Sequence, residues 1–289
     1  MPVITDCFLR VKMINTVSES IRHDNAIIDS SLVEWIRSIK PDWSYFREGM
    51  SDFSYICYMS LYQFAAQYCQ DKNVLDVASG MGFGSYFLAQ TARRVVGLDI
   101  DAKSLEYAVQ RYRNRNLHFF LTDATAACFA DGSFDIIVSI ETFEHILPER
   151  AMSFLQEIHR LLVPGGFLVI STPNRRVNRK ISRNASHINE MGVEDFFNLI
   201  RPIFPDCKPF YQRKNVLRSM GRFYSVIRID RFKLRSIFPR SFRNKVSRLA
   251  APQLYSDIPD LLKQLSVHEA FCLDELKDAV IQIALCRKS

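Results

Sequence analysis

From residue 73 onward, short apolar runs alternate with amphipathic stretches. The runs are rich in Val, Ile, Leu and Phe and predict five buried strands: KNVLDVA, RRVVGLDI, LHFFL, FDIIVSI and GGFLVIST. Between them, apolar residues recur at helical spacing in FGSYFLAQTA, DAKSLEYAVQRYR and PERAMSFLQEIHRLL. Such alternation builds a mostly parallel sheet with helices on both faces. The pattern therefore predicts a doubly wound α/β domain.

The flanking sequence completes the predicted organisation. KPFYQ and AVIQIALC predict two more strands, which makes a seven-stranded sheet, and GVEDFFNLIRPIF predicts a helix that Pro202 ends. SLYQFAAQYCQ predicts a helix before the first strand. We therefore expect an N-terminal helical cap (1–72), a core (73–212), a basic insertion (213–265) and a C-terminal return to the sheet (266–289).

Positive charge is concentrated in one segment. Residues 208–248 contain thirteen Lys or Arg and one acid, Asp230, and so carry +12 in a chain of net charge +7. Arginines interleaved with apolar residues suit an anionic membrane surface or lipid-linked substrate, a phosphorylated acceptor, a nucleic-acid backbone, or a solvated lid or oligomer contact. Nucleic acid is disfavoured because no recognisable RNA-binding module accompanies the segment. The oligomeric state stays open.

Cysteine usage and the N-terminus indicate the compartment. The seven cysteines are odd in number and never spaced as C-x-x-C, which suits reduced thiols better than disulfides or a zinc site. The first residues lack a basic start followed by an apolar run, and no stretch approaches about eighteen uninterrupted apolar residues. We therefore expect a cytoplasmic protein, with any membrane association peripheral.

A glycine-rich turn interrupts VLDVASGMGFGSYFLA, residues 74–89. Glycines permit a sharp turn and let the backbone approach a ligand, and open α/β sheets bind nucleotides at this end of the first strand. Asp99, after the next strand, suits a ribose. A dinucleotide site would require glycine where the chain has Ser85, and Asp76 before the turn would repel a diphosphate but attract a ligand ammonium.

Five segments in this order, LDVASGMGFG, VVGLDID, LTDATA, FDIIVSIETFEHI and LLVPGGFLVISTPNR, resemble the successive motifs of class I S-adenosylmethionine-dependent methyltransferases. The resemblance covers roughly residues 45–200 plus the final strand. It is greatest to ubiquinone-type and bacterial sugar-modifying small-molecule O-methyltransferases. It implies a Rossmann-like fold, S-adenosylmethionine as cofactor, S-adenosylhomocysteine as product, and a sugar or isoprenoid-linked acceptor. Members of the class that methylate amino groups commonly carry N-P-P-Y or D-P-P-Y after the fourth strand. This chain has S-I-E-T there, so the resemblance favours an oxygen acceptor.

Carried over residue by residue, the resemblance implies a cofactor site. Asp76, Gly80 and Gly82 would surround the methionine portion of the cofactor, and Asp99 would hold its ribose. Gly84 belongs to this loop or serves helix packing alone. The implied cofactor-binding positions, with adenine at Asp123 and Ala124 and the sulfonium side at Ile140 and Glu141, are Asp76, Ala78, Gly80, Gly82, Asp99, Ile100, Asp123, Ala124, Ile140 and Glu141.

The segment SIETFEHILP, residues 139–148, carries candidate catalytic groups. Methyl transfer from a sulfonium is an in-line displacement, and a hydroxyl acceptor also needs a base, usually histidine. His145 is the expected base with Glu141 beside the cofactor, and His187 in the loop after the fifth strand competes for the role. A polar helix start without chemistry is the alternative.

A helical turn beginning at Glu141 would place Glu141, Glu144 and His145 on one face. The resemblance associates such a cluster with magnesium. Because imidazole is a poor magnesium ligand, we predict no metal site, and Mg²⁺ stays a minor alternative.

Two other functions are compatible with the sequence. A nucleic-acid methyltransferase would use the basic residues 208–248 to bind the phosphate backbone. A non-catalytic protein of the same fold would keep the cofactor loop for structure alone. The complete glycine loop followed by Asp99 favours an enzyme.

Overall fold

The computed structural model describes residues 38–40, 52–178, 186–212 and 267–289. Its strands are β1 (Asn73–Val77), β2 (Arg94–Asp99), β3 (Leu117–Leu121), β4 (Phe134–Ser139), β5 (Leu162–Pro173), β6 (Asp206–Gln212), β7 (Val267–Glu269) and β8 (Ile281–Arg287). Its α-helices are α1 (Asp52–Ala66), α2 (Phe83–Leu88), α3 (Ala102–Arg111), α4 (Ala151–Leu161), α5 (Arg175–Asn178) and α6 (Val193–Ile200). Short 3-10 turns lie at Phe143–His145, Pro148–Arg150 and Leu273–Asp278.

The described strands form one mixed sheet in the order β3-β2-β1-β4-β5-β8-β6-β7. The five strands β3, β2, β1, β4 and β5 are parallel to one another, whereas β8 runs antiparallel to both β5 and β6. The predicted doubly wound α/β fold is therefore confirmed. The strand count was wrong, because three-residue β7 adds an eighth strand beside Phe210–Gln212 and is too short to give an apolar run.

Each face of the sheet has its own apolar core because side chains of a strand point alternately to opposite faces. On β1, Val74 packs into the core under α1 and α2, while Leu75 packs into the core under α4 and α6. Phe143, in the segment that follows β4, is fully buried in the second core, and its ring contacts the buried rings of Phe154 and Phe196. That segment is thus supported by a packed aromatic layer.

The order of the strands reverses at β1. From β1 the chain continues through β2 and β3 on one side, and then crosses back to β4 and β5 on the other side. The loops that leave β1 and β4 diverge, and ligands of open α/β sheets bind in the crevice between such loops. The glycine turn and SIETFEHILP both lie at this edge, as the sequence predicts. Asp101 caps α3, accepting hydrogen bonds from the backbone N–H groups of Lys103 and Ser104.

The basic insertion falls outside the described residues, apart from 208–212 in β6, as does most of the predicted N-terminal cap. The division of the chain into domains therefore stays a prediction. Within the described part of the chain, no helix combines the length and apolar character needed to cross a bilayer.

Candidate functional site

A cavity of about 700 Å³ opens at the carboxyl ends of β1, β2 and β4. Its volume is within the range of about 300–1,000 Å³ that is usual for small-molecule sites. Nine positions predicted from the sequence line it: Ala78, Gly80, Asp99, Ile100, Asp123, Ala124, Ile140, Glu141 and His145. Asp76, Gly82 and His187 are not in the lining.

Two residues that line this cavity have strained backbones. Ala78 and Glu141, which follow β1 and β4, adopt positive φ angles of 55° and 50° although neither is glycine. Residues held in this region cost about 1–3 kcal/mol and cluster at functional sites. Gly80 has φ 52°, and no atom lies within 4 Å of the place where its Cβ would be. The loop therefore leaves open space for a ligand beside Gly80.

Asp99 fixes the position of the glycine loop relative to β2. Its carboxylate accepts a hydrogen bond of 2.7 Å from the Gly80 N–H and one of 2.9 Å from the Asp101 N–H. Each carboxylate oxygen has a second lone pair, so both can still accept from a diol. Asp99 can thus hold the loop and a ribose at the same time.

Two further features of the cavity suit the binding of S-adenosylmethionine. Ile100 lines the cavity and is 74% exposed, so a large apolar side chain is available to an aromatic base. The Ser79 hydroxyl is buried in the cavity wall without a hydrogen-bond partner among the described residues. A buried polar atom without a partner is costly, and a polar group of the cofactor would satisfy it.

Asp76 lies behind the cavity wall, and its place beside the methionine portion of the cofactor stays a prediction. Its carboxylate is fully buried and accepts hydrogen bonds from the Ser85 hydroxyl at 2.6 Å and the Tyr62 hydroxyl at 3.2 Å. Burial raises the pKa of Asp76 to about 7, although these two hydrogen bonds oppose the shift. Tyr62, which sequence reasoning missed, lines the cavity in its place.

Gly82 and Gly84 serve packing in this structure. A Cβ on Gly82 would lie 2.6 Å from the Ala108 Cβ and 2.7 Å from the Phe119 ring, so this residue packs against α3 and β3. Gly82 is not in the cavity lining, and its contact with the cofactor stays a prediction. A Cβ on Gly84 would lie 1.9 Å from the Tyr62 ring, which supports the helix-packing interpretation of that glycine.

The adenine end of the predicted site contains an ion pair. Asp123 lines the cavity, and its carboxylate contacts the Arg150 guanidinium at 2.9 Å and accepts from the Thr125 N–H at 2.8 Å. The hydrogen bond from the Thr125 N–H is the main cause that lowers the pKa of Asp123. Arg150 belongs to the turn after SIETFEHI, and nothing in its sequence context marked it as a site residue.

The acidic residues after β4 do not share a helical face. Glu141 has a left-handed backbone, and the 3-10 turn begins at Phe143. Strand β5 positions the two carboxylates instead: Ser171 donates a 3.0 Å hydrogen bond to Glu141, and Thr172 donates one of the same length to buried Glu144. Burial raises the pKa of both glutamates, and the charge of Glu144 raises that of Glu141 further.

The two candidate histidines lie together although forty-two positions separate them in the sequence. Their ring centroids are 5.0 Å apart in an edge-to-face arrangement. His145 Nδ1 lies 3.0 Å from the Ser186 carbonyl, and His187 Nδ1 lies 2.7 Å from a Glu190 carboxylate oxygen. Burial is the main cause that lowers the pKa of His145, followed by the neighbouring His187.

Glu144, His145 and His187 also form a group that could hold a metal ion, with one ligand atom of each within 4.8 Å of the others. The set differs from the one that sequence spacing suggested, because His187 replaces Glu141. Glu190 contacts His187, and Thr172 donates a hydrogen bond to Glu144. Neither partner was predicted from the sequence. Glu190 stands three positions after His187, and that spacing was the available signal.

Comparison with known proteins agrees with this geometry. Residues 75–170 match a family model described as a methyltransferase domain. A probable S-adenosylmethionine-dependent methyltransferase from Mycolicibacterium smegmatis is 31% identical over 144 residues, which are 48% of this chain and 54% of that protein. The 2-methyl-6-phytyl-1,4-hydroquinone methyltransferase of Synechocystis is 35% identical over 113 residues, which are 38% of this chain and 35% of that protein.

A solved structure shows the same fold. The chain resembles an S-adenosylmethionine-dependent methyltransferase from Thermotoga maritima, described as a possible histamine N-methyltransferase, with a TM-score of 0.53, 16% identity, and coverage of 82% of this chain and 92% of that one. Residues 75–170 thus match a methyltransferase domain, and the described chain shares the fold of an S-adenosylmethionine-dependent methyltransferase. The match spans about half the length or less of the two curated relatives named above.

The Asp99 geometry generates a prediction about cofactor affinity. In Asp99→Asn an amide NH₂ would face a backbone N–H, and the charge that accepts both backbone donors would be lost. We expect affinity for S-adenosylhomocysteine, measured by calorimetry, to fall about tenfold or more. Asp101→Asn is the matched control, because asparagine caps a helix as well as aspartate does. Equal affinity in the two variants would remove the ribose role of Asp99.

Proposed function

We propose that this chain transfers the methyl group of S-adenosylmethionine to a hydroxyl oxygen of a small molecule, with His145 as the general base. The observation that carries the proposal is the hydrogen bond from His145 to the Ser186 carbonyl. A carbonyl only accepts, so Nδ1 must hold the ring proton and Nε2 keeps its lone pair. His145 also lines the cavity that contains the glycine loop.

The chemistry assigns limited tasks to the protein. Bound S-adenosylmethionine supplies a methyl group on a positively charged sulfur. The side chains of Tyr58, Glu141 and Thr142 line the same cavity as His145 and would orient the acceptor there. His145 Nε2 takes the hydroxyl proton, and the imidazolium that forms would favour the charged form of Glu144, whose carboxyl group lies 4.0 Å from Nε2.

His187 has a supporting role in this proposal. It does not line the cavity, and its ring is held by the 2.7 Å contact with Glu190. A carboxylate on Nδ1 fixes the tautomer and the orientation of a histidine, as it does in catalytic triads. His187 stands at the edge of the His145 ring, where it lowers the pKa of the base.

The acceptor class is inferred from one relative and from the rim of the cavity. The Synechocystis relative is named for a hydroquinone with a phytyl chain, an isoprenoid-linked compound with hydroxyl groups. Ile146 and Leu147 continue the cavity wall beyond His145, and Leu147 is 45% exposed. An apolar rim beside the base suits an acceptor with an apolar part. We therefore propose an isoprenoid-linked hydroxyl compound ahead of a free sugar.

Substitution of the histidines tests the base. His145→Ala should lower kcat by about 10²- to 10⁴-fold, and should leave the affinity for S-adenosylhomocysteine within about twofold because no backbone of the cofactor loop changes. His187→Ala should have the smaller effect on kcat. His118→Ala, at an exposed position of β3, is the control. The histidine base is wrong if all three variants turn over at the rate of the unaltered chain.

The pH profile gives an independent check. The neutral form of His145 is the active one, and its pKa is lowered by burial. Activity should therefore be retained as pH falls through about 6.5, the ordinary histidine pKa, and should be lost only at lower pH. The measurement is kcat/KM against pH with a fixed acceptor. An acid limb that lies above the ordinary value would contradict the assignment.

Metal-assisted methyl transfer is a second candidate, favoured by the convergence of Glu144, His145 and His187. Two imidazoles and one carboxylate suit a transition ion better than magnesium. In the base mechanism turnover should survive removal of divalent ions by EDTA, since His145 acts alone. Loss of turnover on chelation, with recovery on addition of Zn²⁺ or Mn²⁺, would favour the metal instead.

A further inference from the structure

Two cysteines lie side by side on neighbouring strands, outside the cavity. Cys207 of β6 and Cys286 of β8 are direct partners in an antiparallel pair, and the Cys286 thiol contacts the Cys207 sulfur at 2.9 Å. Directly opposed residues of antiparallel strands have Cα atoms about 4.5–5.5 Å apart, and disulfides span about 4.4–6.8 Å. The backbone is thus already placed for a disulfide, with both residues present as thiols.

The two thiols differ in access, which gives them different roles. Cys286 is fully buried, and burial raises the pKa of its thiol, an effect that Cys207 reinforces. Cys207 is only partly buried and can meet a reagent from solvent. A reagent would therefore react first at Cys207, and Cys286 would then attack from inside the sheet.

Neither of the exposed cysteines in the described residues has such a neighbour. Cys128 contacts no other thiol among the described residues, and the Cys272 sulfur contacts the Glu275 carboxylate at 4.0 Å. The pairing of two thiols is therefore particular to Cys207 and Cys286 among the described residues and is not shared by the exposed cysteines. This difference makes Cys128 and Cys272 suitable internal controls.

We propose that Cys207 and Cys286 form a reversible disulfide site that low-molecular-weight disulfides oxidise. The Cys207 thiolate attacks one sulfur of the reagent, forming a mixed disulfide and releasing one thiolate. The Cys286 thiol then loses its proton and attacks the Cys207 sulfur, which expels the second thiolate. Two protein thiols and one reagent disulfide become one protein disulfide and two reagent thiols, so electrons and protons balance.

The disulfide would act on the sheet and leave the proposed active site unchanged. Cys286 pairs with Leu168 of β5, whereas Ser171 and Thr172, which hold the two glutamates, pair with Ile283 and Gln282. Three residues along a strand correspond to about 10 Å. The bond would join positions 79 residues apart and so restrict the unfolded chain strongly.

The test uses the full chain, first reduced and then incubated with oxidised glutathione. Remaining thiols are alkylated in denaturant, and proteolytic peptides are identified by mass. We expect one linked pair of peptides containing Cys207 and Cys286, which dithiothreitol separates. The melting temperature of the oxidised chain should rise by about 5 °C or more, and its affinity for S-adenosylhomocysteine should stay within about twofold.

Single variants separate the two steps. Cys286→Ser should accumulate a glutathione adduct on Cys207, and Cys207→Ser should give neither the linked peptides nor the rise in melting temperature. Cys128→Ser should behave as the unaltered chain does. Alkylation of both Cys207 and Cys286 after oxidation, or a stable glutathione adduct on Cys207 of the unaltered chain, would overturn the proposal. The peptide map of the unaltered chain decides the question even if a serine variant does not fold.

Discussion

The reversal of strand order at β1 is the constraint on which the rest of the structure depends. Since the loops after β1 and β4 diverge, an open crevice remains between them, and every proposed ligand contact is made there. The same geometry requires the chain to turn abruptly as it leaves both strands. Ala78 and Glu141 adopt left-handed backbones at these two exits. Hydrogen bonds hold the chain at these exits: the Ser79 N–H donates to the Leu98 carbonyl, and the Glu141 N–H donates to the Ser171 hydroxyl.

The carboxylates after β4 show what this arrangement costs. Glu144 is 1% exposed, and among the described residues no lysine or arginine pairs with Glu141 or Glu144. Burial of a carboxylate without a cation is costly, and the group responds by holding its proton more tightly. Hydroxyl donors on β5 offset only part of that cost. A cation beside these two carboxyl groups, whether an imidazolium, a sulfonium or a metal ion, would favour their charged forms.

Much of the fold could be predicted because its signals are local. The five apolar runs and the glycine turn each occupy a few consecutive residues. Strand β7 was missed because three residues carry no periodicity. Predicted positions at the ends of strands, such as Gly80, line the cavity because the local turn alone places them there. The burial of Asp76 could not be predicted, because Tyr62, which covers it, comes from a helix fourteen positions earlier and no local pattern indicates that contact.

Long-range contacts account for most of the remaining site. His145 and His187 meet only because β5 returns the chain to the same edge of the sheet, and Ser171 reaches Glu141 across thirty positions. Sequence spacing grouped Glu141 with Glu144 and His145, whereas the fold brings His187 to them, because that contact also spans a long stretch of chain. The chemistry of each residue was predictable, whereas the partner of each residue depended on the completed sheet.

The contact between Tyr62 and Gly84 bears on the smallest unit that can fold. Helix α1 lies outside the segment that matches the methyltransferase family model, yet its Tyr62 ring fills the space that glycine leaves in α2 and hydrogen-bonds to Asp76. A fragment reduced to residues 75–170 would open that side of α2 and uncover a carboxylate that the intact chain excludes from solvent. The catalytic domain as sequence similarity delimits it is therefore smaller than the domain that the physics of burial requires.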